Sequence, residues 1–404
     1  MIGDKLLMNI KILKNFENYE DCKATMLNEN LVLEKVYSDI ENSGLKKIRY
    51  ILLDISDNSR REILPQYDKY NIGDVKNVSS SSDYIYFFTF NQDGDDSSEI
   101  RLMRYNIITG EHEIIFKYSD DITMYSIVKK LKVFVLNEFY LLVQQEYLKT
   151  NAAENCSGFF KFESFLYNIN DQKIYSVVDE NLSTNGINDI IPVSENLCIM
   201  KTGFPLLQDN RYSLLEKEEV SVEAVSLVNI GQLISDILIM QTSITFDTID
   251  QAYYNKTIPY IEVQDNYLIY SVTDTIENYE EVVFYNINDK ESTRCINKNV
   301  FKMEDLAKHY IINDEPYICI SKATGIEFVN LKKAKIEYKF EENLKLETVE
   351  KNMFIFSGKS EKGLLRKSYH YCEVYDLQQN MILREKGDYF ECKCFGDNLY
   401  LFII

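Results

Sequence analysis

The sequence predicts an all-β fold: an eight-bladed β-propeller of four-stranded antiparallel blades, with seven as the alternative count, whose last blade is closed by strands from both termini. Two periodic signals predict it. First, an apolar residue followed by Asn or Asp and then Ile or Leu occurs at Met8-Asn9-Ile10, Leu53-Asp54-Ile55, Tyr105-Asn106-Ile107, Tyr167-Asn168-Ile169, Val228-Asn229-Ile230, Tyr285-Asn286-Ile287, Val329-Asn330-Leu331 and Tyr375-Asp376-Leu377. The Asn/Asp positions are 45, 52, 62, 61, 57, 44 and 46 residues apart, the spacing of a four-stranded unit used repeatedly. Second, most copies follow an apolar and aromatic run led by a polar turn, such as YLIYSV (267 to 272) after Gln264-Asp265-Asn266 or MFIFS (353 to 357) after Glu350-Lys351-Asn352.

Each unit reads as an inner strand, a hairpin turn, a second strand, a variable loop, a third strand ending in the triplet, a tight turn and an outer strand. In blade 2 these are Val75 to Ser79, Tyr84 to Phe90, Glu99 to Ile107 and His112 to Tyr118. At period two the residues flanking the Asn share one sheet face and pack against a neighbouring blade, while the Asn side chain caps the turn. The chain ends straight after a second strand, so the pair within Tyr389 to Ile404 is expected to be completed by outer strands from residues 3 to 20, removing exposed sheet edges. The first copy is the least regular, because MNIKILK lacks a polar turn. Ile122 to Leu131 and Val300 to His309 read as short inter-blade helices. The whole chain, 1 to 404, is expected to be one domain.

Composition agrees. Tyr (30) and Phe (22) are abundant while Gly (14) and Pro (5) are scarce, a bias suited to pleated, half-buried strands. The net charge of -20 repels phosphate backbones and anionic lipid surfaces, which argues against nucleic-acid and membrane partners. The opening MIGDKLLMNIKILKNFENYED has the features of neither a secretory signal nor an anchor, so a cytoplasmic location is expected. The eight cysteines then read as reduced and structural.

Through its triplets the chain resembles the β-propeller superfamily in a divergent bacterial form. It lacks the Trp-Asp signature of WD40 blades and the Gly-Gly pair of kelch blades, and only Asn106-Ile107-Ile108-Thr109-Gly110 is similar to the turn of quinoprotein-like propellers. The resemblance implies the architecture and carries no functional residue.

No catalytic motif accompanies the repeat, and no cofactor or metal is expected. His112, His309 and His370 share no spacing that suggests a zinc site or a nucleophilic relay. The loop Asn91 to Glu99 gathers oxygen ligands around Gly94 but does not match a calcium-loop spacing. Cys392 and Cys394 lie two apart on an inner strand, hence on one face. Glu262, Glu347 and Glu391 lie on inner strands, where they offer an acidic lining. Glu361 to Tyr371 is locally basic and aromatic. The longest steps place extra length in Glu146 to Ser157, Thr202 to Glu219 and Thr242 to Lys256. Within them Phe204, Leu206, Leu207, Asp209, Tyr212, Tyr253 and Tyr254 mix apolar anchors with polar groups.

The leading expectation is therefore a non-enzymatic propeller that engages a protein or peptide partner through these enlarged rim loops, with its oligomeric state left open. The competing expectation is a hydrolase or lyase acting on a small-molecule or carbohydrate substrate at the channel mouth, with carboxylates as acid and base. A structural role in a larger assembly is a third.

Overall fold

The structure is a computed structural model that describes residues 9–13, 22–39, 46–63, 83–92, 98–120, 131–149, 159–179, 182, 185–203, 221–253, 256–274, 277, 279–296, 308–322, 324–340, 344–360, 369–395 and 397–403. Eight sheets follow one another along the chain. Blade 1 spans Cys22 to Ile63, blade 2 Tyr84 to Asp120, blade 3 Leu131 to Ser176, blade 4 Ile187 to Tyr253, blade 5 Lys256 to Ile296, blade 6 Lys308 to Ile312 through Phe340, and blade 7 Leu344 to Lys386. Blade 8 combines Tyr389–Phe395 and Asn398–Ile403 with Asn9–Leu13. The inner strand expected at Val75 to Ser79 lies outside the described residues.

The triplet works as its chemistry predicts. The side-chain oxygen of the Asn or Asp accepts the N–H two residues on at Asp54, Asn106, Asn168, Asn286 and Asp376, each at 2.9 Å. The following Ile or Leu returns its own N–H to the start of the second strand, as Ile107 does to Asp83, Ile169 to Phe139 and Ile287 to Asn266. One residue type thus closes a turn and sets the hairpin register together. In the Thr109-Gly110 turn, Gly110 takes φ 75°, a conformation that disfavours a side chain.

In blade 4 the same position begins a helix. Asn229 caps Ile230–Leu238 by accepting the Gln232 N–H at 2.9 Å. Ile230, Leu233, Ile234 and Ile237 recur at helical spacing and are buried against blades 3 and 4. The expected helices are not found where they can be checked: residues 122–130 and 300–307 lie outside the described residues, and Leu131, Lys308 and His309 begin strands. The stretch Thr242 to Lys256, expected as a rim loop, likewise holds the outer strand Asp247–Tyr253.

The ring closes through apolar clusters at every blade boundary. One joins blades 1 and 2, a second joins 2, 3 and 4, and others join 4 to 5, 5 to 6, 6 to 7 and 7 to 8. Met26, Val32 and Leu53 of blade 1 then pack on Tyr400 and Phe402 of blade 8. Aromatic rings dominate the boundary of blades 6 and 7, where the Phe328 and Phe354 centroids lie 4.9 Å apart and those of Phe340 and Phe356 4.6 Å apart.

Terminal closure is seen, with one difference. Asn9–Leu13 pairs with Asn398–Ile403, but in parallel, Ile10 opposite Leu399 and Ile12 opposite Leu401. Elsewhere tight turns force neighbouring strands antiparallel; here no turn links the two strands, so that constraint is lifted. Asn9 therefore opens a strand instead of capping a turn. No helix among the described residues is long and apolar enough to cross a membrane.

Candidate functional site

The inner strands of blades 4, 5, 7 and 8 each break register near their start, between Ile187 and Asp189, Thr257 and Tyr260, Leu346 and Thr348, and Tyr389 and Glu391. A bulge leaves backbone groups unpaired and re-aims side chains. At four boundaries one position is informative at this level, four residues after the residue paired with the triplet Asn/Asp. In blade 3 it is Gln144, 1 % exposed, whose amide donates to the Ile187 carbonyl at 3.1 Å and accepts the Ile187 N–H at 2.6 Å. In blade 4 it is Lys201, which donates to the Ile258 carbonyl and pairs at 3.0 Å with Glu223, whose other oxygen accepts the Ile258 N–H. Both boundaries are filled by a side chain that satisfies the bulged backbone.

In blades 5 and 7 the same position is Ser271 and Ser357. A hydroxymethyl group cannot span the boundary, and a cavity of about 500 Å³ opens between blades 5 and 6 and another of about 510 Å³ between blades 7 and 8. At the 5/6 boundary the clasp is made instead by Gln264, which accepts the Ile311 N–H at 3.2 Å.

The 7/8 cavity is lined by Lys345, Glu347, Ser357, His370, Asp388 and Tyr389, among others. Glu347 sits at the bulge of its strand and accepts the Ser357 hydroxyl at 2.5 Å and the Lys345 ammonium at 2.9 Å. His370 meets Asp388 through Nδ1. Three residues along the same inner strand, Glu350 is in a contrasting setting: burial raises its carboxyl above the ordinary range, and the negative charges of Asp265, Glu262 and Glu391 add to this, against the opposing pull of Lys393. Tyr389 lies among these groups, its phenol pushed up by burial and, further, by Glu347, Glu391 and Glu350. At roughly 3.3 Å per strand residue, the Cα atoms of Glu347 and Glu350 are about 10 Å apart.

The three glutamates expected to line the interior are thus all on inner strands, with Glu347 in the 7/8 cavity, Glu262 in the 5/6 cavity, and Glu391 beside Lys393 at 3.3 Å. The three histidines remain apart: His112 is on the outer strand of blade 2, His309 lines the 5/6 cavity and His370 the 7/8 cavity. Cys392 and Cys394 share a face and turn into the packing against blade 7. The six described cysteines are unbonded, and burial pushes Cys198, Cys319, Cys372 and Cys394 to about 12, so their thiols stay protonated. Among the described residues no group of three or more His, Cys, Asp or Glu is placed to hold a metal ion; residues 93–97 of the oxygen-rich loop lie outside them. Ser357, Glu350, Asp388 and Tyr389 escape sequence reading, although the repeat register singles out Ser357 as a small residue where Gln144 and Lys201 stand in blades 3 and 4.

Only one of the rim-loop residues lies within the described residues. Phe204, Leu206, Leu207, Asp209, Tyr212 and Tyr254 lie outside the described residues, and Tyr253 is on an outer strand, 40 % exposed, its hydroxyl donating to Gln251.

No family model and no curated protein matches the sequence. Among solved structures the chain is similar to Porphyromonas gingivalis dipeptidyl peptidase 4, with TM-score 0.50 and 9 % identity over 89 % of this chain and 51 % of that one. It is similar also to Pyrococcus horikoshii acylaminoacyl peptidase, with TM-score 0.45 and 10 % identity over 93 % of this chain and 55 % of that one. A third is the β-propeller domain of the Trilobed protease from Pyrococcus furiosus, with TM-score 0.43 and 9 % identity over 90 % of this chain and 97 % of that one. The chain spans about half the length of the two full peptidases. At these identities the likeness is one of fold. The expectation of a non-enzymatic interaction propeller is corrected: the solved structure of this fold that reaches TM-score 0.50 is named as a peptidase, and among the described residues polar side chains gather in cavities between blades.

Proposed function

We propose that the protein is a hydrolase acting on a small-molecule or carbohydrate substrate at the channel mouth, in the cavity between blades 7 and 8, with Glu350 as general acid and Glu347 as general base. One observation carries the proposal: two carboxyls of a single inner strand lie near Tyr389 in different environments, Glu350 raised by burial and Glu347 hydrogen-bonded to Lys345 and Ser357. Divergent environments of this kind mark an acid and a base. Glu350 gives its proton to the leaving group as the scissile bond breaks, and Glu347 takes a proton from the water whose oxygen forms the new bond. His370 with Asp388, and Lys345, supply polar contacts for substrate at the cavity edge. A cytoplasmic setting belongs to the same reading, since unbonded thiols suit a reducing compartment.

The test is turnover of a panel of chromogenic glycosides and small esters by the wild type, Glu350→Gln and Glu347→Gln. The reading expects activity on at least one class, a fall in kcat of about 10²- to 10⁴-fold in each variant, and a rate that declines as pH rises through the raised Glu350 value. Wild-type rates in both variants, or no turnover across the panel, overturn it.

A further inference from the structure

The cavity between blades 5 and 6 is the counterpart of the proposed catalytic one, yet its chemistry differs. We infer that it is a binding site for a primary ammonium group, the side chain or terminus of an amine-bearing ligand. Ser271, 3 % exposed, lines it and its hydroxyl has no hydrogen-bond partner, whereas Ser357 in the other cavity is bonded to Glu347. A buried hydroxyl without a partner is unfavourable, and a ligand atom seated in the cavity supplies that partner.

The remaining lining selects the ligand. Glu262 and Glu280 both face the space, and among the described residues neither is ion-paired. Lys308, the cation of the lining, directs its ammonium toward the Leu346 and Glu347 carbonyls of blade 7 at 3.5 and 3.4 Å. His309 is held neutral by burial and turns its ring edge onto Phe284. Two carboxylates with low-dielectric walls focus a negative potential, and an ammonium with three donors matches Glu262, Glu280 and Ser271 together. Tyr260, 42 % exposed, supplies a ring beside the entrance for the alkyl stem or the cation. Thr348 of blade 7 also lines the cavity, so it opens toward the inner strands and a ligand enters from the channel.

The repeat supplies its own test. Ser271→Gln installs in blade 5 the side chain that fills the 3/4 boundary, and Ser357→Gln does so in the other cavity. Binding of the tripeptide Ac-Ala-Lys-Ala-NH₂, of its norleucine counterpart and of 1,5-diaminopentane is measured by calorimetry with the full chain. The lysine peptide or the diamine is expected to bind at least tenfold more tightly than the norleucine peptide. Glu280→Gln should weaken that binding about tenfold and Ser271→Gln abolish it, with Ser357→Gln without effect. Tighter binding of the peptide assigns the amine to a peptide side chain; tighter binding of the diamine assigns a free amine. Equal binding of the norleucine peptide, or undiminished binding by Glu280→Gln, overturns the inference. Glu280 is exposed, so its variant keeps the test decisive should Ser271→Gln fail to fold. Because the readout is binding, the inference stands or falls apart from turnover in the 7/8 cavity.

Discussion

Gln144 holds both backbone polar groups of Ile187, accepting its N–H at 2.6 Å and donating to its carbonyl at 3.1 Å. Ile187 belongs to the next blade and sits at the bulge of its inner strand, where the ladder leaves its groups unpaired. Lys132 of blade 3 donates to the same carbonyl at 3.1 Å, so an amide and an ammonium together dock blade 4 onto blade 3.

Gln144→Leu keeps the volume and removes both bonds, leaving the Ile187 N–H without its partner while the carbonyl keeps Lys132. The expected loss is about 1 to 3 kcal/mol, read as a fall in the urea midpoint, with Gln144→Glu also destabilised because it cannot donate.

At the next boundary the Lys201–Glu223 pair performs the same docking with charges, and Glu223 is 1 % exposed. Removing one partner leaves an uncompensated buried ion, so Lys201→Met alone should cost about 3 to 5 kcal/mol. The double variant Lys201→Met with Glu223→Leu removes the lone charge but leaves the Ile258 N–H and carbonyl without these partners, so it should recover only part of the loss. A double-mutant cycle by chemical unfolding checks both figures.

Deleting the chain through Leu13 strips Ile10 and Ile12 from the blade 7/8 cluster and bares the edge of Asn398–Ile403. Stability should fall by about 2 to 4 kcal/mol from lost burial. The bared edge should also produce concentration-dependent association in sedimentation, absent from the intact chain.

Glu350 has a carboxyl raised in the folded state. The unfolded chain releases that proton near the ordinary value of about 4.3, before the folded chain does, so over that interval the native form binds more protons. Stability associated with Glu350 is therefore fully present below about pH 4.3 and declines as pH rises toward the raised value. Glu350→Gln should remove this decline and be more stable than the wild type at pH 7, measured by unfolding at pH 4, 5.5 and 7. A variant less stable than wild type at pH 7 would show that Glu350 makes a favourable contact as an anion.

The turns were legible because their chemistry is local. Asn106 and Asn286 bond N–H groups two and three residues ahead, so the side chain and the turn it closes share a stretch of sequence. The helix Ile230–Leu238 was equally local in its pattern, but Val228-Asn229-Ile230 reads the same whether Asn229 caps a turn or a helix. The apolar spacing that follows decides between them.

The site was legible only in part. Glu262, Glu347 and Glu391 stand out as acids on inner strands, but nothing near Glu347 in sequence distinguishes its setting from that of Glu350. The difference comes from Ser357, Lys393 and Asp265, the last on another blade, brought near by ring closure.

By itself the sequence determined the repeat, the strand order within each blade and the pairing of the two termini, because side-chain periodicity and turn capping act within a few residues. The tertiary structure alone decided the parallel direction of Asn9–Leu13, which boundaries Gln144 and Lys201 fill, and where Ser271 and Ser357 leave cavities. Those outcomes depend on volumes and charges contributed by separate blades, which meet only once the ring is closed.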